Sequence, residues 1–355
     1  MKRRDFLACA AAAAGVLAAP HVRAAVPLAV RLGYSGIGAD NRPFAQGNSW
    51  ATTHALGLVE EEFKGDPDVA FEWYFFRGAG PAVNEALANR QLDFYSQGDL
   101  PSVVGRASGI RSKLLLVGGT RRPVYLAVPA GSDITGIPQL KGRKIALQLG
   151  TNNHLSVATV LSEHGLKWSD VTIVNLDNAS ANAALASRQV DGAFGDVSFL
   201  RLQEQGLVKV AYNSNSDTPT AARVGSTFVT EEFEQKYPEV TQRIVKAFTR
   251  GAEWSSREEN RDALIALWAK SGTPESVLRS DLDGVDLKIR HSPLLDGFTH
   301  ELYRRKAAQA KEFGLIRREI DIDDWLEPKY LDVAIRDLGL EGLWTPFDKN
   351  GKPDA

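Results

Sequence analysis

The sequence predicts an α/β protein of two similar lobes, each a mixed, mostly parallel sheet flanked by helices, with a helical extension at the carboxyl end. Three observations predict it. A chain of 355 residues exceeds the size at which a single hydrophobic core usually stops growing, so two domains are expected. Strand-length apolar runs alternate with helical stretches as far as residue 230, which is the pattern of parallel βα units. One segment occurs twice, as Asn84-Glu-Ala-Leu-Ala-Asn-Arg-Gln-Leu-Asp93 and Asn182-Ala-Ala-Leu-Ala-Ser-Arg-Gln-Val-Asp191, and each copy runs on to a Gly-Asp pair, Gly98-Asp99 or Gly195-Asp196. Two copies are too few for a solenoid and point to two related lobes.

At the amino terminus, Lys2, Arg3 and Arg4 precede an apolar stretch from Phe6 to Pro20, followed by Val22-Arg23-Ala24-Ala25. Residues 1–24 therefore read as a secretory signal cut near Ala24, which places the mature chain in the periplasm. The stretch is shorter than the ~20 apolar residues that cross a bilayer. Arg3-Arg4-Asp5-Phe6-Leu7 looks like a twin-arginine export signal, with Lys2 where Ser or Thr is usual. Cys9, the single cysteine, falls inside this signal, so the mature chain has no thiol for a disulfide or a cysteine metal site.

The first lobe is read over residues 25–124. Leu28–Leu32 is a strand ending at Gly33-Tyr34, and Trp50–Phe63 is a helix whose start Asn48 or Ser49 caps. Val69–Phe75 is the next strand, ending at Arg77-Gly-Ala-Gly80, and the first repeated helix begins at Pro81. It turns at Asn89-Arg90 into a buried strand, Leu92–Tyr95, and Asp99 caps the helix from Pro101. Leu114–Val117 is a strand ending at Gly118-Gly119-Thr120.

The second lobe is read over residues 125–220. Val124–Val128 leads into it, and Lys144–Gln148 runs into Gly150-Thr151-Asn152-Asn153, followed by a helix through His164. Val171–Val174 precedes the second repeated helix, which turns at Ser187-Arg188 into the strand Val190–Phe194. Asp196 then caps a helix from Ser198. Residues 221–355 return to the first lobe and end in helices over Pro238–Trp254, Arg261–Lys270, Pro293–Phe313 and Glu327–Leu338, packed on that lobe.

Composition excludes several function classes. With 42 Lys and Arg against 44 Asp and Glu, no basic field exists to hold a nucleic-acid backbone. The six histidines show no metal-ligand spacing. Asp281, Asp283 and Asp286 alternate like part of a calcium loop, but Gly284 is misplaced and no closing Glu follows, so they read as a polar turn. No phosphate-cradling Gly-rich loop is present, which leaves any ATP hydrolysis to a separate subunit. Neither cofactor, metal nor catalytic residue is predicted.

Ala86-Leu-Ala-Asn-Arg-Gln-Leu-Asp-Phe-Tyr-Ser-Gln-Gly-Asp-Leu-Pro101, Leu140-Lys-Gly-Arg-Lys-Ile-Ala-Leu-Gln-Leu-Gly-Thr151 and Val190-Asp-Gly-Ala-Phe-Gly-Asp196 resemble the periplasmic solute-binding proteins of ABC importers, in the aliphatic sulfonate, taurine and nitrate group. That group shares its fold with thiamin-pyrimidine-precursor binding proteins. The resemblance runs from about residue 28 to 345 and implies a type II-like periplasmic binding protein. Its lobes would be joined by crossing segments near 123–130 and 215–228 and would close on a ligand by a hinge motion. It further implies a monomer that serves an ABC permease and a separate ATPase subunit. Two departures bear on specificity: the long loop from Ser35 to Ser49, expected to rim or cover the pocket, and Gly195, where many members carry Trp.

Ligands of open α/β sheets bind outside the carboxyl ends of strands, where helix amino termini offer backbone NH groups and about half a positive charge each. The candidate contacts are therefore Gly33, Tyr34, Asn48, Ser49, Gly98, Asp99, Gly119, Thr120, Gly150, Thr151, Asn152, Asn153, Gly195 and Asp196. Arg77, with Arg42, Arg121 and Arg122, is placed for planar recognition of a sulfonate or carboxylate. Asp40, Asp99 and Asp196 would instead answer an amine. A small organic anion is the preferred ligand. Two other classes stay open: an enzyme on the same fold, of desulfinase or pyrimidine-precursor type with His54 or His154 as a base, and a ligand sensor docking on a membrane receptor.

Overall fold

The computed structural model describes residues 27–217 and 219–354; the signal read over residues 1–24, its cut near Ala24 and Cys9 lie outside the described residues. The chain begins β1 (Leu28–Tyr34), α1 (Ser49–Ala55), α2 (Leu58–Glu62), β2 (Val69–Phe75), α3 (Ala79–Ala88), β3 (Phe94–Gly98), α4 (Asp99–Ala107) and β4 (Ser112–Arg122). It continues β5 (Tyr125–Pro129), β6 (Lys144–Leu147), α5 (Asn152–Glu163), β7 (Thr172–Asn175), α6 (Asn178–Ala186), β8 (Gly192–Gly195), α7 (Ser198–Glu204), β9 (Val208–Asn213) and the single turn α8 (Ser214–Asp217). It then returns through β10 (Arg223–Thr230) to α9 (Glu231–Lys236), α10 (Pro238–Ser256), α11 (Arg261–Ala269), α12 (Glu275–Leu282), α13 (Leu287–Arg290), α14 (Gly297–Glu312) and α15 (Lys329–Asp337).

Two sheets result, ordered β2-β1-β3-β10-β4 and β7-β6-β8-β5-β9. In the first, β1 pairs in parallel with β2 and β3, and β10 runs against both of its neighbours. In the second, β6 pairs in parallel with β7 and β8, and β5 is the reversed strand. Each sheet is thus mixed and mostly parallel. The chain passes between them at residues 123–124 and 214–222, while 125–129 and 223–228, read as crossing segments, are strands inside the two sheets.

Both faces of the first sheet are apolar because helices cover both. On one, Trp50 stacks on Phe248 of α10 at 5.4 Å. On the other, Phe228 lies between Tyr95 and Trp325. The repeated segments fold alike. Arg90 and Arg188 close their helices in the left-handed region at φ 55° and 57°, and Gln91 and Gln189 donate back to Ala86 and Ala184 at 2.9 and 2.8 Å. These are Schellman-type ends. Asp93 and Asp191 then accept the backbone NH of Arg31 and Lys144, the neighbouring strand of each sheet, at 2.9 and 2.7 Å.

Several elements differ from the sequence expectation. The helix over Trp50–Phe63 is two helices, broken at Gly57 with φ 64°. β4 does not end at Gly118 but runs on to Arg122. The helix expected from Pro293 starts at Gly297, because Asp296 caps it by accepting Thr299 NH at 2.9 Å. The polar turn read at Asp281–Asp286 is the junction of α12 and α13. Asp286 caps α13, and the Asp281 side chain is buried against Arg290. Nor is the tail confined to the first lobe: Ser276 of α12 donates to Glu204 of α7, and Tyr125 of β5 donates to Asp281 at 2.9 Å.

Candidate ligand site between the lobes

The lobes meet where strand ends of the first face a helix start of the second. A Cβ on Gly98, at the end of β3, would lie 2.7 Å from Cβ of Asn152, the first residue of α5. Only glycine permits that approach. A Cβ on Gly150 would meet Pro81 of α3 at 3.1 Å, and Arg77, after β2, pairs with Asp177, the N-cap of α6, at 3.6 Å.

On the first lobe's side of this gap, Asn48 caps α1 by accepting Ala51 NH at 2.9 Å and donates its amide to the Tyr34 hydroxyl at 2.8 Å. Both side chains are buried. Burial raises the Tyr34 pKa, while the positive field of Arg122 and the Asn48 hydrogen bond pull it down and the negative field of Asp196 pushes it up. Groups from both lobes therefore act on one phenol. Ser49 donates to Gly118 O at 2.9 Å, fastening α1 to β4.

The charge at the junction is unbalanced. Arg223 opens β10 with its side chain buried. It donates to Pro123 O and to Asn153 Oδ1, both at 2.9 Å, and so ties the passages to α5. Burial, and then the proximity of Arg122, lowers its pKa to about 10, against the fields of Asp196 and Asp281. Arg290 is buried 3.6 Å from Asp281 and feels Arg122 as well. Among the described residues no hydrogen bond or ion pair ends on the Arg122 guanidinium, and a Cβ on Gly47 would lie 2.7 Å from one of its nitrogens. Arg122, Arg223 and Arg290 stand against Asp196 and Asp281, an excess of one positive charge carried by the half-buried Arg122. A desolvated charge without a partner is costly, so this arrangement favours an anion.

The structure gathers some candidate residues and disperses others. Tyr34, Asn48, Ser49, Gly98, Gly150, Asn152, Asn153 and Asp196 lie at the junction. Thr151 does too, but its hydroxyl donates to Gln148 O at 2.9 Å and does not cap α5. Asp196 accepts Asn178 Nδ2 at 2.8 Å and Ser198 NH at 3.0 Å. Asp99 faces away: fully buried, it accepts Leu100 NH at 2.6 Å and Val224 NH at 3.3 Å and lies 4.0 Å from Lys306 of α14. Thr120 and Arg121 line a cavity on the other side of β4. Arg42 is exposed on its loop, and Arg77 is occupied in bridging the lobes. Gly195 leaves no room for the family's tryptophan, since the ring of Phe199 stands 2.8 Å from where its Cβ would be.

The long loop is anchored on the tail, Ala39 NH donating to Ser271 O at 2.7 Å, and ends over Arg122 at Gly47. His54 packs among Phe44, Trp73 and Phe75. His154 accepts Gly150 NH and stacks near Trp168. Burial lowers the pKa of both, and both are engaged in packing. Sequence reasoning missed Arg223, Arg290 and Asp281. For Arg223, its position on a crossing segment was a usable signal. Arg290 comes from a tail stretch without local signature, and Asp281 from an acidic alternation that reads as a polar turn. Among the described residues no group of three His, Cys, Asp or Glu side chains is gathered as metal ligands.

A model of the NMT1/THI5-like family matches residues 78–259. A relative from Escherichia coli (strain K12), described as an aliphatic sulfonates-binding protein, is 28% identical over 334 residues, covering 92% of each chain. The crystal structure of a periplasmic sulfonate-binding protein of a sulfonate ABC transporter from Methylobacillus flagellatus KT superposes with a TM-score of 0.78 at 32% identity, over 90% of this chain and 97% of that one. The periplasmic aliphatic sulphonate binding protein of Escherichia coli superposes with a TM-score of 0.65 at 25% identity, over 84% and 97% of the two chains.

Proposed function

Since the chain belongs to the NMT1/THI5-like family and has the two-lobed fold of periplasmic binding proteins, we propose that it captures a small sulfonate-like anion between its lobes and delivers it to an ABC permease. The observation that carries this reading is the unpartnered Arg122 guanidinium at the lobe junction. An Arg offers two parallel NH donors to two oxygens of a sulfonate. Closure would add Asn152 and the free NH groups of the first turn of α5, whose positive end favours the same charge. Tyr34 and Asn48 would wall the ligand from the first lobe. Rotation about residues 123–124 and 214–222 is the closing motion, and the Arg77–Asp177 pair is made only when the lobes are together.

Within this proposal residues 25–124 and 221–355 form one lobe and 125–220 the other. The mature protein is a periplasmic monomer exported by the signal over residues 1–24, and a separate subunit hydrolyses ATP. A desulfinase reading would require a thiol nucleophile, and the only cysteine of the chain is Cys9, in that signal.

Isothermal titration with methanesulfonate, ethanesulfonate and taurine tests the proposal. At least one should bind, and Arg122→Gln should weaken it about tenfold or more, the value of a charged hydrogen bond, with the melting temperature little changed. Equal affinity in Arg122→Gln would remove the carrying observation. A ligand turned over instead of released intact would move the chain to the enzyme class.

A further inference from the structure

Beside the junction lies a cavity of about 830 Å³ that shares no residue with the interlobe contacts above except Thr120 and Arg121, which it takes from them. Its walls come from three places: Thr120 and Arg121 at the end of β4, Thr220 in the second passage, and Phe298, Arg305 and Lys349 of the carboxyl-terminal extension. Successive strand residues point to opposite faces. A Cβ on Gly119 would point at Asn48, 3.1 Å from its Cβ, on the gap side, and Thr120 faces the cavity. Arg121 breaks the alternation. Its φ of 51° is a left-handed conformation costing an L-residue ~1–2 kcal/mol, and it sends a second consecutive side chain to the cavity side. There the guanidinium lies over the rings of Phe298 and Phe347, at 5.1 and 4.7 Å. Such strain persists where the surroundings over-determine it, commonly at ligand sites.

The cavity is cationic and partly apolar. Among the described residues Arg121 and Lys349 have no carboxylate partner. Arg305 meets only Glu301, at 4.0 Å, and its Nε is buried without a hydrogen-bond partner. Three cations thus share one carboxylate, beside the faces of Phe298 and Leu302. The volume falls within the roughly 300–1,000 Å³ of small-molecule pockets.

We propose that this cavity is a second ligand site, for an organic anion bearing an apolar group, and that its occupancy is coupled to lobe closure. The coupling rests on the hinge reading above; the site itself does not. The second passage lines the cavity through Asn215, Thr220 and Ala222, and Arg121 lies two residues before the first, so the backbone that absorbs lobe rotation also shapes it. A ligand fitting one lobe angle better than another shifts that equilibrium and alters affinity at the interlobe site, reciprocally.

The test is titration of the full mature chain with 2-naphthoate, in the natural sequence and in Arg122→Gln, Arg121→Gln and Lys349→Glu. Lys349 is exposed, so its charge reversal spares the fold should Arg121→Gln disturb it. One naphthoate should bind per chain, persist in Arg122→Gln, and weaken about tenfold in Arg121→Gln and several-fold in Lys349→Glu. Saturating naphthoate should change methanesulfonate affinity by about fivefold or more. Binding lost in Arg122→Gln but kept in the other two would put the probe between the lobes and overturn the site, as would silence at millimolar naphthoate. Binding without any change in methanesulfonate affinity would overturn the coupling. Failure of every sulfonate to bind, with Arg121-dependent naphthoate binding intact, would reject the interlobe ligand class and leave this site standing.

Discussion

The two lobes share a local grammar and diverge at one corner. Each runs from an alanine-rich helix through a left-handed arginine and a strand-bridging aspartate to Gly-Asp. Even the asparagines correspond: Asn84 donates to Pro101 O and Asn182 to Ser198 Oγ, each reaching the helix beyond the corner. At the corner itself the aspartates part ways. Asp99 is fully buried and holds β10 and Lys306 of α14, so the first lobe spends its carboxylate on the return of the chain. Asp196 stays half-buried at the junction, fixed by Asn178 and within the field of Tyr34 and Arg223. The difference follows from connectivity. Only the first lobe receives a strand from later in the chain, and that strand, β10, together with α14 covers its corner.

That contrast can be broken by truncating the two carboxylates in turn. Asp99→Ala strips Lys306, with its side chain 1% exposed, of its facing carboxylate and Val224 NH of its acceptor; losing one partner of a buried pair costs about 3–5 kcal/mol. Asp196→Ala removes a helix-start acceptor, worth about 1 kcal/mol. Urea unfolding should separate the two clearly, and Asp99→Leu combined with Lys306→Met should recover much of the loss. Similar costs at both corners would mean that burial does not distinguish them.

The glycines of the two corners sharpen it further. Gly98→Val drives a side chain into Asn152 across the gap, so it should weaken ligand binding by at least about tenfold while leaving the unfolding midpoint nearly unchanged, a steric effect on closure alone. Gly195→Val meets Phe199 of its own lobe, and overpacking of that kind costs roughly 1–3 kcal/mol of stability. Calorimetric binding and melting curves on both variants check the pair; a Gly98→Val chain that binds normally would show that the lobes need not approach so closely.

How far these contrasts could be read in advance depends on the range of the interactions. The repeat, the alternation of strands and helices and the helix starts at Asn48 and Asn152 are local, and periodicity with turn chemistry reveals them. The fate of Asp99 is not local: its partners Val224 and Lys306 lie more than a hundred positions away, and Asp99 and Asp196 look alike in sequence. Thr120 lies away from the gap because β4 continues past Gly118 and Gly119, where glycine signals a strand end. Four arginines look alike in sequence. Arg42 is exposed, Arg77 is paired with Asp177 and Arg121 lies over Phe298 and Phe347, whereas Arg122 is half-buried at the junction without a hydrogen bond or ion pair among the described residues, and only the packed tail and loop decide that. Arg290 and Asp281 lie in short helices after the break at residues 270–274, where no apolar period is long enough to place them.

Acid should act through the tail that distinguishes the first lobe. His291 is fully buried beside Arg290 and Trp268, with neither ring nitrogen hydrogen-bonded. Burial, aided by Arg290 and Arg122, holds its pKa well below the usual 6.5. Above that value the ring is neutral in both folded and unfolded chains and contributes no pH dependence. As pH falls below it, the unfolded chain takes up the proton first, and stability drops by up to about 1.4 kcal/mol per pH unit until the folded ring also titrates. Melting curves between pH 7.5 and 5.5 should show this slope, and His291→Gln should flatten it. An unchanged slope would assign the acid sensitivity to His54 and His154, one in each lobe, and erase the asymmetry.

The smallest effect tests the similarity itself. Arg90 and Arg188 are both exposed and both left-handed, at the position after a helix where glycine is favoured. Replacing either by glycine relieves the steric cost of the left-handed backbone, ~1–2 kcal/mol for an L-residue, and gives part of that back as greater freedom of the unfolded chain. The net gain should be about 0.5–1 kcal/mol in each lobe. Because the two turns lie in separate sheets with no shared partner, the gains should add in the double variant. Urea midpoints measure this directly. Gains of the same size would mean that the repeat specifies one backbone twice and that all divergence between the lobes lies beyond the strand it leads into. A gain in only one would mean that packing, and not the shared segment, holds the other arginine in its turn.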